Sequence, residues 1–445
     1  MHKFNKLSWA VAIASLALIS SQASAAGFQV REQSAKTLAN ALAGAAAGAE
    51  DASFMAYNPA AIGNIDGTQV VGGIAYIDAN FELMDAQASS ANGLIDYDRG
   101  GSRQGGETAW VPSFAAKTRL GERFDLGLAI YAPYGLSTQY DEAWIGRYHA
   151  IETELTTVDF QPTLNYRASE RLNLAIGLRA QYADATLSNA VDFGSAAAMM
   201  GNPFATPGQN DVIGEVTGDD WGYGYILGAL FQATDKTRLG IGYRSKIDLT
   251  LDGELDVKGT DPVSDGAVQA GLVSGTGGTA ELTTPANLNL GIYHQLTDRL
   301  ALMANAEWTE WSHFDELVVE FEDGRDPSRT EENWDDTWAL SVGANYELNE
   351  RWLLRAGLGY DETPVPSPEF RTPRVPDADR TWATLGATWM PTPNLGVTAG
   401  YMHVFGDDVE IDQDGAKSEN QTRGNLSGTY EVSADVFALS VDYRF

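Results

Sequence analysis

The sequence predicts an all-β transmembrane barrel of about fourteen antiparallel strands with a small N-terminal plug in its lumen. Three observations lead there: an export leader, period-two alternation along most of the remaining chain, and a terminal aromatic on the last alternating segment. Of 445 residues, 10% are aromatic and 46 are glycine. No stretch beyond the leader supplies the ~20 continuous apolar residues a membrane helix needs. A barrel shows lipid only every second residue, so it can span a bilayer with this mixed composition.

The leader comes first. Lys3 and Lys6 form its basic region, Leu7 to Ile19 its apolar core, and Ala23-Ser24-Ala25 a small-x-small cleavage site. Residues 1–25 are therefore expected to be removed, leaving Ala26 at the start of an exported chain. There is no cysteine, which excludes a disulfide scaffold. The formal charge is −32, and loss of the two leader lysines takes it to −34. A chain this acidic makes nucleic acid a poor partner. The acidic residues crowd into connections such as Glu320 to Asp326 and Asp407 to Asp414. Solubility accounts for them; contact with divalent cations among lipopolysaccharide is the alternative.

Residues 26–67 do not alternate. Leu38 to Ala49 reads LANALAGAAAGA, and Asn58-Pro59-Ala60 follows. Small residues permit close packing and Asn-Pro favours a turn. Because the first strand starts directly afterwards, the segment is expected to fold as a plug (hatch) inside the barrel. An empty barrel of this size would be a wide water channel.

From residue 68 to 445 the alternation is regular. Leu172, Leu174, Ile176 and Leu178 share one face and Arg171, Asn173, Gly177 and Arg179 the other. Thr237, Leu239, Ile241 and Tyr243 oppose Arg238, Gly240, Gly242 and Arg244. A helix would scatter these sets around its surface. Aromatics recur near segment ends, as Trp110, Tyr166, Trp308, Trp338, Trp352 and Tyr360 do, which fits interfacial girdles. Arginine, glutamine and asparagine on the second face would be costly in a dry sandwich core. The predicted strands are 68–78, 107–119, 124–134, 153–168, 171–185, 221–234, 236–250, 280–296, 299–321, 335–348, 351–361, 380–390, 394–405 and 430–445. Short and long connections alternate between them, so both ends of the barrel chain are expected on the periplasmic side. The last strand places Phe437, Leu439, Val441, Tyr443 and Phe445 on one face. Ending on Phe445, it resembles the signal read by the barrel-assembly machinery.

Only four histidines follow the leader: His149, His294, His313 and His403. There is no G-x-S-x-G elbow, no H-E-x-x-H pair and no phosphate-binding loop. An enzyme is not expected, and no cofactor is implied.

Several stretches, in order, resemble the FadL family of outer-membrane long-chain fatty acid transporters. They are Ala26-Gly27-Phe28-Gln29, Asn58-Pro59-Ala60, Tyr131-Ala132-Pro133-Tyr134-Gly135-Leu136, Trp308-Thr309-Glu310-Trp311-Ser312-His313-Phe314, Pro364-Val365-Pro366 and Pro376-Asp377-Ala378-Asp379-Arg380. The resemblance implies a monomeric fourteen-stranded barrel in outer-membrane lipid and lipopolysaccharide, with a hatch of about forty residues. It also implies a kink in the third strand, where Pro133 and Gly135 fall, that opens a gap in the wall. Ligand would bind between hatch and wall, at the positions of Phe28, Ala132, Tyr134 and Gly135, and leave sideways. Of the family's carboxylate-binding cations, one falls at Asn189 and another near Arg329. Arg31, Arg147 and Arg179 are possible replacements, although pairing inside the lumen is the simpler expectation for each. Fatty acids are the first substrate class expected and aromatic hydrocarbons, which need no cation, the second.

Overall fold

A computed structural model describes residues 27–445, so the leader lies outside the described residues. Fourteen antiparallel strands close into a barrel. They are Gln69–Ser89, Thr108–Leu120, Phe124–Tyr131, Glu152–Ser169, Leu172–Val191, Val212–Thr234, Thr237–Arg244, Asn287–Gln295, Leu300–Thr309, Thr337–Asn349, Trp352–Asp361, Arg380–Thr392, Leu395–Gly406 and Asn425–Arg444. The first pairs with the last, from Gln69 opposite Arg444 to Ser89 opposite Asn425, so the ring leaves no free edge.

Each segment picked out by alternation overlaps one of these strands, but several strands run further. Leu172–Val191 and Val212–Thr234 stay paired up to Val191 opposite Val212. The connection expected over 186–220 thus shrinks to 192–211, around the helix Phe193–Met199. Above the lipid the outer face no longer needs apolar residues, so the alternation fades while the hydrogen-bond ladder continues. Six further strands fill other connections, among them Ile247–Gly259 and Thr276–Thr284, which pair with each other.

The barrel is apolar outside and polar inside. Leu174, Ile176, Leu178, Leu239, Ile241 and Leu358 are exposed, whereas Arg179, Gln181, Asn165 and Asn305 are buried. Burying such groups is costly unless they are bonded, and the lumen bonds them. Asp125 alone receives Lys117, Asn165 and Arg167. On four adjacent strands Trp110, Tyr76, Phe437 and Tyr401 lie in register, one arc of an aromatic girdle.

Residues 27–65 fill the lumen and are almost all buried. A helical turn, Ala35–Leu38, and two 3-10 turns, Ala52–Ala56 and Pro59–Asn64, carry them. Asn58 starts the last turn by accepting from Ala60 N, and its Nδ2 donates to Ala46 O at 2.7 Å and to Ala229 O on the wall at 3.0 Å. The wall makes room with glycine. A Cβ on Gly240 would lie 1.9 Å from Ala46 O, and one on Gly242 2.0 Å from Tyr57 O. No larger residue could tolerate that approach.

Candidate functional site

The third barrel strand breaks where Pro133 removes a ladder donor. Phe124–Tyr131 pairs with the preceding strand only as far as Ile130 opposite Phe114. The chain resumes as the short strand Gly135–Gln139, which rejoins that side at a single bridge, Gly106 with Thr138. Between these points the wall ladder is interrupted. The hatch backbone occupies the interruption. Gln29 forms a bridge with Tyr134, Val30 N donates to Pro133 O at 2.9 Å, and Gly135 N donates to Phe28 O at 2.8 Å.

Phe28 sits in an aromatic cage. Its ring lies 4.7 Å from Trp311, 5.5 Å from Phe314, 5.8 Å from Trp334 and 6.0 Å from Tyr134. Val365 and Val375 belong to the same cluster. Tyr134 is fixed by Thr157, which bonds its backbone, and by donating its hydroxyl to Pro285 O at 2.7 Å. Gly27 N donates to Asp377, which Arg380 also holds. Segments 300 residues apart in sequence therefore meet on one hatch side chain. Just beyond it, Arg31 bonds Glu307 at 2.9 Å and also Asp361, and Gln29 Nε2 donates to Glu307 at 2.7 Å. These charges are saturated and fasten the hatch to the wall.

Residues 16–445 match the family model described as outer membrane protein transport protein (OMPP1/FadL/TodX). The chain belongs to that family. It is 30% identical to the 47 kDa outer membrane protein of Pasteurella multocida over the whole of both chains. It is 28% identical to the long-chain fatty acid transport protein of Escherichia coli O6:H1 over 99% of each. A crystal structure of a Pseudomonas aeruginosa FadL homologue superposes with a TM-score of 0.84 at 29% identity, covering 94% of this chain and 100% of that one. Like these outer-membrane relatives, this member of the family resides in the outer membrane.

Behind Phe28 lies a nearly apolar pocket of about 60 Å³, lined by Leu136, Leu155, Leu251, Leu282, Phe314 and Leu317. Arg374 also lines it, with the acids Glu154, Glu281 and Glu332, and none of these was singled out from sequence. Arg374 also borders a larger outer cleft of about 640 Å³ with Asn189, Arg329, Arg423 and Glu419. Phe28, Tyr134 and Gly135 thus come together, with Ala132 and Pro133 in the interruption, whereas Asn58, Pro59 and Ala60 anchor the hatch elsewhere. Asn189 stands in the outer cleft, its Oδ1 3.5 Å from Arg374. Arg329 is about half exposed and paired with Glu316 at 3.0 Å, away from the apolar pocket. Arg147 pairs with Asp211 at 2.8 Å and Arg179 with Asp159 at 2.5 Å, so the expected replacements are already committed.

The loop groups here are strongly perturbed. Burial, then the charge of Arg423, brings Arg374 down to about 9. Burial lifts Glu332 to about 8 despite a hydrogen bond from Trp334 and the nearby arginines. Burial, with Arg423 and Arg374 behind it, pushes His149 down to about 3. One signal for Arg374 was present in the sequence: three of the 29 basic residues, Arg371, Arg374 and Arg380, fall within ten positions. Among the described residues no group of three or more His, Asp or Glu side chains could hold a metal ion.

Proposed function

We propose that this protein takes up hydrophobic small molecules, specifically long-chain fatty acids, passively across the outer membrane. Ligand enters the outer cleft and settles in the apolar pocket. The hatch segment at Phe28 withdraws, and the ligand leaves sideways through the interruption at Ala132–Gly135. One observation carries this reading: Phe28 stoppers the pocket with its ring while its carbonyl fills the break in the wall. A single movement would then open both. The pocket's present volume supports such a step, because small-molecule sites run roughly 300–1,000 Å³ and this one has about 60 Å³. The similarity to a long-chain fatty acid transport protein along nearly the whole chain supports the substrate class. The sequence contains no nucleotide-binding motif to drive the step.

Equilibrium binding of radiolabelled oleate and of toluene to the purified, detergent-exchanged protein tests this. Saturable oleate binding is expected, and Gly135→Pro, which deletes the donor that holds Phe28 O in the closed hatch, should quicken hydrogen exchange over residues 27–33. Toluene binding without oleate binding would move the protein to hydrocarbons.

A further inference from the structure

Buried cations need anions. Taking a charge out of water costs several kcal/mol unless a counter-charge is close, and several buried arginines of this barrel have one. Arg31, Arg147, Arg179 and Arg355 each touch a carboxylate within 3 Å. Buried Arg244, Arg371 and Arg374 and half-buried Arg423 do not, and of these Arg374 and Arg423 line the outer cleft. Arg374 is 8% exposed, and its guanidinium meets only neutral acceptors: Thr153 Oγ1 at 3.1 Å, Glu152 O at 3.4 Å and Asn189 Oδ1 at 3.5 Å. Arg423 bonds Thr330 Oγ1 at 3.1 Å, Ser328 Oγ at 3.2 Å and Arg329 O at 2.8 Å. Among the described residues no carboxylate lies within 4 Å of either. In a chain carrying a formal charge of −32, two such arginines beside one cleft are conspicuous.

The acids within electrostatic range are engaged elsewhere. Glu332 accepts from Trp334 Nε1 at 3.1 Å, and Glu419 accepts from Glu331 N at 3.0 Å. Burial pushes the Glu332 carboxyl well above the ordinary carboxylate range, which weakens it as a counter-charge for the arginines. Their positive potential reaches His149, whose Nε2 is buried without a partner among the described residues. The region therefore holds two guanidinium groups that no carboxylate touches and a cleft with room for a ligand.

Resting on the fatty acid reading above, we propose that Arg374 and Arg423 grip the ligand's carboxylate while its chain enters the apolar pocket behind Phe28. The placement fits, because Arg374 borders both the cleft and the pocket. Its planar fork matches a carboxylate. The grip also accounts for Asn189. Where the family resemblance implies a cation on the wall, this chain has an amide, and the loop arginine reaches toward that amide. An uncharged hydrocarbon would leave both guanidinium groups as they are.

The test is binding of oleate and of oleyl alcohol, which keeps the chain and lacks the charge, to full-length protein in detergent. In Arg374→Gln, oleate affinity should fall roughly ten-fold or more, as for a lost charge-assisted bond, while oleyl alcohol affinity stays within two-fold (about RT ln 2). Arg423→Gln should act in the same direction. Adding Asn189→Arg to Arg374→Gln returns a cation to the rim and should recover oleate binding, a gain that general damage could not produce. Unchanged oleate affinity in Arg374→Gln, or equal losses for both ligands, overturns the assignment and leaves fatty acid uptake standing. Failure of the unaltered protein to bind either ligand overturns both.

Discussion

Arg31 and Arg374 are both buried close to Phe28, 3% and 8% exposed, yet their surroundings differ in kind. Arg31 belongs to the hatch and is held by Glu307 and Asp361. Arg374 belongs to an outer loop and touches no carboxylate among the described residues. The first arrangement has no capacity left for a ligand: removing any member strands a charge. The second gains only when an anion arrives. A positive charge in the lumen is therefore not by itself a sign of ligand binding; whether a carboxylate already holds it is what separates these two arginines.

The comparison breaks most visibly at Arg31. Arg31→Ala leaves Glu307 and Asp361 buried with a partner lost, a defect of about 3–5 kcal/mol. Residues 27–40 should lose most of their hydrogen-exchange protection, and ion conductance through single molecules in a planar bilayer should rise as the plug loosens. Unaltered exchange there would mean that the aromatic cage alone holds the hatch. Phe28→Ala tests that cage directly. Truncating a buried phenylalanine costs about 3 kcal/mol or more, confined here to the first hatch residues. Exchange should quicken over 27–33 while residues 52–64, tied down through Asn58, stay protected.

The contrast also explains what could be read in advance. The wall was legible because lipid outside and a polar lumen inside enforce a strict two-residue period, as in Leu172 to Tyr182. The same pattern lost sight of Val212–Thr234 above residue 221, where water bathes the outer face and side-chain polarity no longer reports the fold. Phe28 and the kink were legible through motifs, since Pro133 and Gly135 carry local backbone meaning. Arg374 and Arg423 were not. The grip proposed for them depends on loops about 50 residues apart meeting at a strand end, and no periodicity encodes that meeting. Arg329 drew attention by position alone, and the hairpin that carries it turns its side chain to Glu316.

A subtler probe of the loop cluster is pH. The folded Glu332 carboxyl sits at about 8, against an ordinary 4.5. Between these values the folded loop holds a proton that the opened loop releases, so raising the pH favours opening. Stability from this group is therefore full below about 4.5 and declines until about pH 8. His149, at about 3 against 6.5, works in the opposite sense, disfavouring the closed loops as pH falls below 6.5. Between 6.5 and 8 the effect of Glu332 acts without that of His149. Exchange of residues 328–336 should quicken across that window, and Glu332→Gln should flatten the dependence. A slope that survives in Glu332→Gln would assign the titration to another group.

The smallest effect belongs to Arg329. Its pair with Glu316 is about half exposed on both sides, and exposed pairs contribute about 0–1 kcal/mol. Arg329→Ala should leave thermal stability nearly unchanged and oleate affinity within two-fold (about RT ln 2). The result matters because Arg329 lines the same cleft as Arg374 but not the apolar pocket. If cleft charge merely attracted anions from solution, both arginines would count alike, and added salt would erase the difference. If the carboxylate is seated at the pocket rim, only Arg374 and its partner Arg423 should matter, and the loss should persist at high salt.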